Sequence, residues 1–130
     1  MEFTYEKVSN YAIEETIDRV KAELSKVGFG VLWELNFKDK LKEKGFDYPN
    51  QFWVFEVCNP SKAIKVLEKN QKAGYFLPCK VAVYENEESV FAGLMKPSQM
   101  INMIDSLKNI TDLALEVEQQ LTEAIKKAVI

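Results

Sequence analysis

Two cysteines, each beside a proline, carry the most direct hint of chemistry in this chain: Phe55-Glu56-Val57-Cys58-Asn59-Pro60 and Phe76-Leu77-Pro78-Cys79-Lys80-Val81. They are the only cysteines, and both lie in runs that read as strand ends. A thiol becomes a nucleophile or a metal ligand as its thiolate. Cys58 immediately precedes an Asn-Pro helix start, where free backbone N–H groups and the helix dipole would favour that charged form. The alternative for each cysteine is a small apolar residue packed at a strand end. The spacing is not a CxxC, so a thioredoxin-like motif is not supported.

The rest of the composition narrows the chemistry. The chain contains no histidine. That removes serine–histidine and cysteine–histidine nucleophile pairs, together with the commonest metal ligand. A metal held by Cys58 and Cys79 would need oxygen ligands from Glu34, Glu56 or Tyr84, which argues against a closed structural zinc site. Glu34 and Glu56 lie in otherwise apolar strands. Either faces solvent, or it is buried beside Trp33, Trp53 or Phe55 with a raised pKa, as an acid–base group requires. The aromatic residues Phe3, Tyr5, Phe29, Trp33, Phe37, Phe52, Trp53 and Phe55 read as core.

With net charge −3 and Arg19 the only arginine, the chain has almost no bidentate donors for bases or phosphates, so no nucleic-acid partner is expected. Lys38-Asp39-Lys40-Leu41-Lys42-Glu43-Lys44 alternates bases with acids and reads as a solvated helix face. No run approaches the roughly 20 apolar residues of a membrane span. The start, Met1 to Lys7, lacks the pattern of a secretory leader. A cytosolic location is the expectation, and there two cysteines read as free thiols, metal ligands or a redox pair.

Positioning these residues requires an alternation of elements. Residues 3–8 alternate as a half-buried strand. Ile13, Ile17, Val20, Leu24 and Val27 predict a helix over 11–27, capped by Ser9 or Asn10 and ended by Gly28. A strand at Val31–Leu35, a short helix over 37–44 capped by Asn36, and a strand at Gln51–Val57 follow. Asn59-Pro60 is the clearest helix start in the chain. Cys79–Glu85 and Ser89–Leu94 form a hairpin. Pro97 opens a helix bearing Met100, Ile101, Ile104 and Leu107, and the last helix repeats Leu113, Val117, Leu121 and Ile125. The five glycines are scattered, and Gly28-Phe29-Gly30 precedes a strand, so it is a helix end and turn and no phosphate loop. The order predicts one α+β domain: a two-layer sandwich with one small mixed sheet of about five strands and helices mainly on one face.

Three stretches resemble the domain of unknown function DUF302 family: Gly28-Phe29-Gly30-Val31-Leu32-Trp33-Glu34, Val57-Cys58-Asn59-Pro60-Ser61-Lys62-Ala63, and Leu77-Pro78-Cys79-Lys80-Val81-Ala82-Val83-Tyr84-Glu85. The resemblance covers roughly residues 1–105 and leaves the last helix, from about 110, as an extension. It implies a compact α+β domain with a mixed sheet that pairs as a homodimer, and no established activity. It also carries both cysteines as signature positions, which places Cys58, Cys79 and Glu34 near one cleft. Where the family pattern has an aspartate two residues after the strand glutamate, this chain has Asn36, which weakens a paired-carboxylate site with Glu34.

Three functions follow as expectations. The first is a module binding a small ligand or metal ion around Cys58, Cys79 and Glu34. The second is a thiol-dependent enzyme or redox protein using Cys58. The third is a homodimeric interaction domain with buried thiols, pairing through the apolar stripe of the last helix.

Overall fold

Five strands form one sheet in the order β1-β5-β4-β3-β2, where β1 is Thr4–Val8, β2 Gly30–Asn36, β3 Phe52–Cys58, β4 Cys79–Asn86 and β5 Ser89–Met95. The computed structural model describes residues 2–130. Between the strands run α1 (Ile13–Lys26), α2 (Phe37–Glu43) and α3 (Pro60–Lys69), and after them α4 (Pro97–Ile101) and α5 (Thr111–Val129). Among these residues the architecture is α+β.

Alternation along the strands decides which face is covered. Phe55, Val57, Val81, Val83, Ala92 and Leu94 turn to one side and are buried with Ile13, Val20 and Leu24 of α1 and Leu121, Ile125 and Val129 of α5. Helices α1 and α5 lie side by side on that face. The apolar stripe of α5 is therefore covered by its own sheet and by α1. The helix is part of the core and no appendage, and its stripe is not free to pair with a second chain.

Every neighbouring pair of strands is antiparallel, so the sheet is not the mixed one expected. The reason is competition for space. A parallel crossover from β3 to β4 would lay α3 along the sheet, but α1 and α5 already occupy that face. Helix α3 is pushed to the end of the sheet, packing on α5 and on two 3-10 turns, Gln71–Tyr75 and Asp105–Ile110. The chain then re-enters beside the point where it left.

Two helix starts match their signals. Asn59 Oδ1 accepts hydrogen bonds from the backbone N–H groups of Ser61 (3.2 Å) and Lys62 (3.4 Å), and Asn36 Oδ1 accepts from Asp39 N (3.2 Å). The start of α1 does not: Ala12 occupies the cap position without a side-chain bond. Ser9 Oγ instead shares a hydrogen bond with Thr16 Oγ1 (2.6 Å), and Asn10 N donates to Val129 O (3.0 Å), fastening β1 to the end of α5. The helix expected after Pro97 also breaks early. Ile104 adopts extended backbone, and the 3-10 turn that follows buries Leu107 and Ile110 with Val66, Ala73, Ile101 and Ala114 in a second apolar cluster. A continuous helix would have left that cluster unfilled.

Candidate functional site

The antiparallel return brings the thiols together. Cys79 opens β4 opposite Val57, and Cys58, the last residue of β3, pairs in register with Gly30 of β2. Both cysteines are free thiols and line one small cavity with Phe29, Val57, Ala63, Val66 and Leu77. Its volume is about 20 Å3, room for about one water molecule. A second apolar cavity of about 40 Å3 continues it toward Ile101 and Ile110, sharing Val66, Leu77, Cys79 and Val117.

Glu34 is not part of this cleft. It sits opposite Phe55, three residues before Cys58 along β3, or about 10 Å away at strand spacing. Its carboxylate is half-exposed and pairs with Lys21 at 2.9 Å. Glu56 pairs with Lys80 at 2.9 Å on the other face of the sheet. Neither carboxylate occupies the apolar pocket that acid–base chemistry would require. Among the described residues no three histidine, cysteine, aspartate or glutamate side chains cluster as metal ligands do.

The electrostatics of the thiols also differ from the expectation for Cys58. Burial raises the pKa of Cys58, and burial followed by the neighbouring Cys58 pushes Cys79 up to about 11. The helix start that would favour a thiolate is already occupied. The Asn59 side chain accepts the first N–H groups of α3 and the Ser61 hydroxyl (2.8 Å), while its own amide donates to Val27 O (3.3 Å). At neutral pH the cleft holds two protonated thiols among hydrocarbon.

Helix α3 is the lid of this cleft, and it is thinly attached. Val66 is its only buried side chain, whereas Ile64 is 58% and Leu67 39% exposed. Polar contacts supply most of its remaining fastening. Lys62 pairs with Glu116 of α5, Asn70 Nδ2 donates to Ser106 O (2.6 Å), and Asn109 Nδ2 donates to Lys69 O (3.1 Å).

The sheet face away from α1 and α5 is met by α2, whose first residue Phe37 packs against Phe52, and here the aromatics depart most from a core reading. Phe29 and Phe55 are buried, but Phe3, Trp33 and Phe37 are exposed. Phe37, Phe52, Tyr84 and Phe91 form a continuous ridge across the open face. Phe37 meets Phe52 edge to face at 5.8 Å, and the Phe52–Tyr84 and Tyr84–Phe91 stacks are 4.8 and 5.3 Å. Tyr84 donates to the Glu6 carboxylate, and burial, then Glu6, pushes its pKa up to about 12. Phe52, Tyr84 and Phe91 alternate along their strands with Trp53, Val83 and Ala92, which pack in or against the core, whereas Phe37 opens α2. The alternation could have revealed the ridge once the strand register was known.

An open antiparallel sheet with two helices on one face and a lidded thiol cleft at one end defines a small α+β sandwich. Residues 5–128 match the DUF302 family, a domain of unknown function, and the chain belongs to it. The match includes almost all of α5, in keeping with that helix's place in the core. The chain is similar to the crystal structure of an uncharacterized conserved DUF302 protein from Bacillus stearothermophilus, with 35% identity and a TM-score of 0.91 over 98% of this chain and 99% of that one. No curated protein matches the chain.

Proposed function

We propose that this domain binds a small, uncharged, largely apolar molecule in the cleft between α3 and the end of the sheet, with Cys58 at the mouth and Cys79 inside. The observation that carries this reading is the meeting of both thiols in one apolar cleft beneath a helix that buries a single side chain, Val66. The lining supports an apolar occupant. Lys62, the one cation there, is paired with Glu116, and a charged ligand would be desolvated without a partner. The cavity holds only about one water molecule, so a larger occupant requires α3 to swing outward. The lid's few apolar contacts make that local opening inexpensive. The neutral thiols serve as polarizable wall atoms and weak hydrogen-bond donors.

Thermal unfolding with indole as the probe tests the reading. Indole should raise the midpoint of the wild type in a saturable way. It should not raise that of Val66→Trp, whose side chain fills the cleft. No shift with indole or with aliphatic alcohols, or an equal shift in both proteins, would overturn the reading.

A further inference from the structure

Residues 60–75, which form α3 and the 3-10 turn after it, hold four lysines and one glutamate in a chain whose net charge is −3. Helical spacing sorts them. Lys62, Ala63 and Val66 turn inward to line the thiol cleft, and Lys62 is paired with Glu116. Lys65 and Lys69, four residues apart, share one outer flank of α3, and Ile64 and Leu67, three apart, share the other. All four are exposed. The 3-10 turn extends the apolar flank. A Cβ on Gly74 would lie 3.4 Å from Leu67 Cδ2, so the turn packs against Leu67, and the next residue, Tyr75, is 90% exposed. Lys72 lies on the same turn and, with Gln71, Gly74 and Tyr75, lines an open notch of about 370 Å3. Among the described residues, Lys65, Lys69 and Lys72 make no ion pair.

This combination of free cations and exposed hydrocarbon selects among partners. Three apolar side chains are too few for a stable protein interface, which takes about 20–30 residues a side, and lysine is depleted from such interfaces. An anionic bilayer suits both halves of the pattern. Ile64, Leu67 and Tyr75 can enter the headgroup region, where tyrosine is favoured for its apolar body and polar tip. The lysine amines, on long flexible stems, reach the lipid phosphates. Basic segments are drawn to such a surface by its negative potential, and a helix lying on it needs no spanning length. The rest of the molecule is acidic as a whole and is repelled by the same surface, which orients the domain lid down.

We infer that the outer side of α3 and the turn after it form a docking face for an anionic membrane surface. Val66, on the inner side of the same helix, closes the thiol cleft, so docking sets the lid between the cleft and the lipid, where an apolar occupant is at hand. That link rests on the cleft reading; the docking itself does not.

Co-sedimentation of the full chain with vesicles tests this at low ionic strength, using phosphatidylcholine alone and phosphatidylcholine with phosphatidylglycerol. No cleft ligand is present, so docking can fail while the cleft reading stands, and the reverse. Wild type should bind the anionic vesicles, and high salt should release it. Combining Lys65→Gln, Lys69→Gln and Lys72→Gln should weaken binding by about a hundredfold, or about fivefold per lysine. Ile64→Ser with Tyr75→Ser keeps the charge and should weaken it by about tenfold. Lys40→Gln, Lys42→Gln and Lys44→Gln, at the end of α2, remove the same charge as the first set and should bind nearly as wild type does. Circular dichroism should stay native throughout, because every altered side chain is exposed. A wild type that ignores anionic vesicles, or binds neutral ones equally, overturns the inference. So does an equal loss in the α2 control, or full binding by the serine pair. Binding to soluble polyglutamate as tight as to the vesicles would point to an acidic protein partner and overturn it as well.

Discussion

Replacing Cys79 with alanine should change how the protein responds to alkali more than it changes stability at neutral pH. Cys79 is only 8% exposed, and burial, reinforced by Cys58, moves its pKa from 9.0 to about 11. The folded state therefore holds its proton over a range in which the unfolded chain releases it. Stability from the neutral thiol is fully present below about pH 9 and falls as pH rises toward about 11. Linkage between those two values gives a loss of about 1.4 kcal/mol by pH 10 for the wild type relative to the alanine variant. Near pH 8 the variant should be less stable by about 1 kcal/mol, the typical cost of a point substitution. Urea unfolding at the two pH values should thus show the curves separated at the lower pH and converging by the higher. Tyr84 titrates with the same sign at still higher pH, its pKa raised to about 12, so both proteins are best compared on a Tyr84→Phe background. A gap between the two proteins that stays constant from pH 8 to pH 10 would refute the buried, neutral thiol.

Other perturbations reach the lid and the sheet. Lys62→Ala removes the pairing with Glu116 and should speed alkylation of Cys79 by iodoacetamide several-fold with little change in global stability; an unchanged rate would mean that the ion pair does not hold the lid. Asn59→Ala deletes the cap of α3 and its tie to Val27, and urea unfolding should show a loss of about 1–2 kcal/mol. Gly93→Ala should cost about 2 kcal/mol or more, because its Cβ would lie 2.6 Å from Tyr5 O and 2.8 Å from Glu6 Cγ. A thermal midpoint equal to wild type would show that β1 can shift to admit it.

Local signals in the chain translate directly into local structure. Asn59-Pro60 and Asn36 cap the helices they announce, and the hairpin after Cys79 forms where a short polar turn separates two apolar runs. Such features depend on neighbours a few residues away. Strand direction between β3 and β4 does not. It depends on α5, which follows both strands in the chain, taking the place on the sheet that a crossover helix would need. The same long-range packing relocates α3 to the sheet's end and creates the cleft shared by Cys58 and Cys79. Glu34 shows the converse: it lies on the strand beside β3, yet register sets it opposite Phe55, away from Cys58. The thiolate expected at Cys58 fails for a local reason, since the Asn59 side chain that starts α3 also consumes the donors that would have stabilised the charge. The aromatic ridge is invisible residue by residue, because Phe52 and Phe55 have the same composition and opposite faces.

The account rests most heavily on the cleft beneath α3 being a binding site, and native mass spectrometry of gently purified protein tests that most directly. The protein should carry a discrete added mass of a small molecule, lost on denaturation and absent from Val66→Trp purified in the same way. A bare chain mass in the wild type, or the same added mass in both proteins, would contradict it.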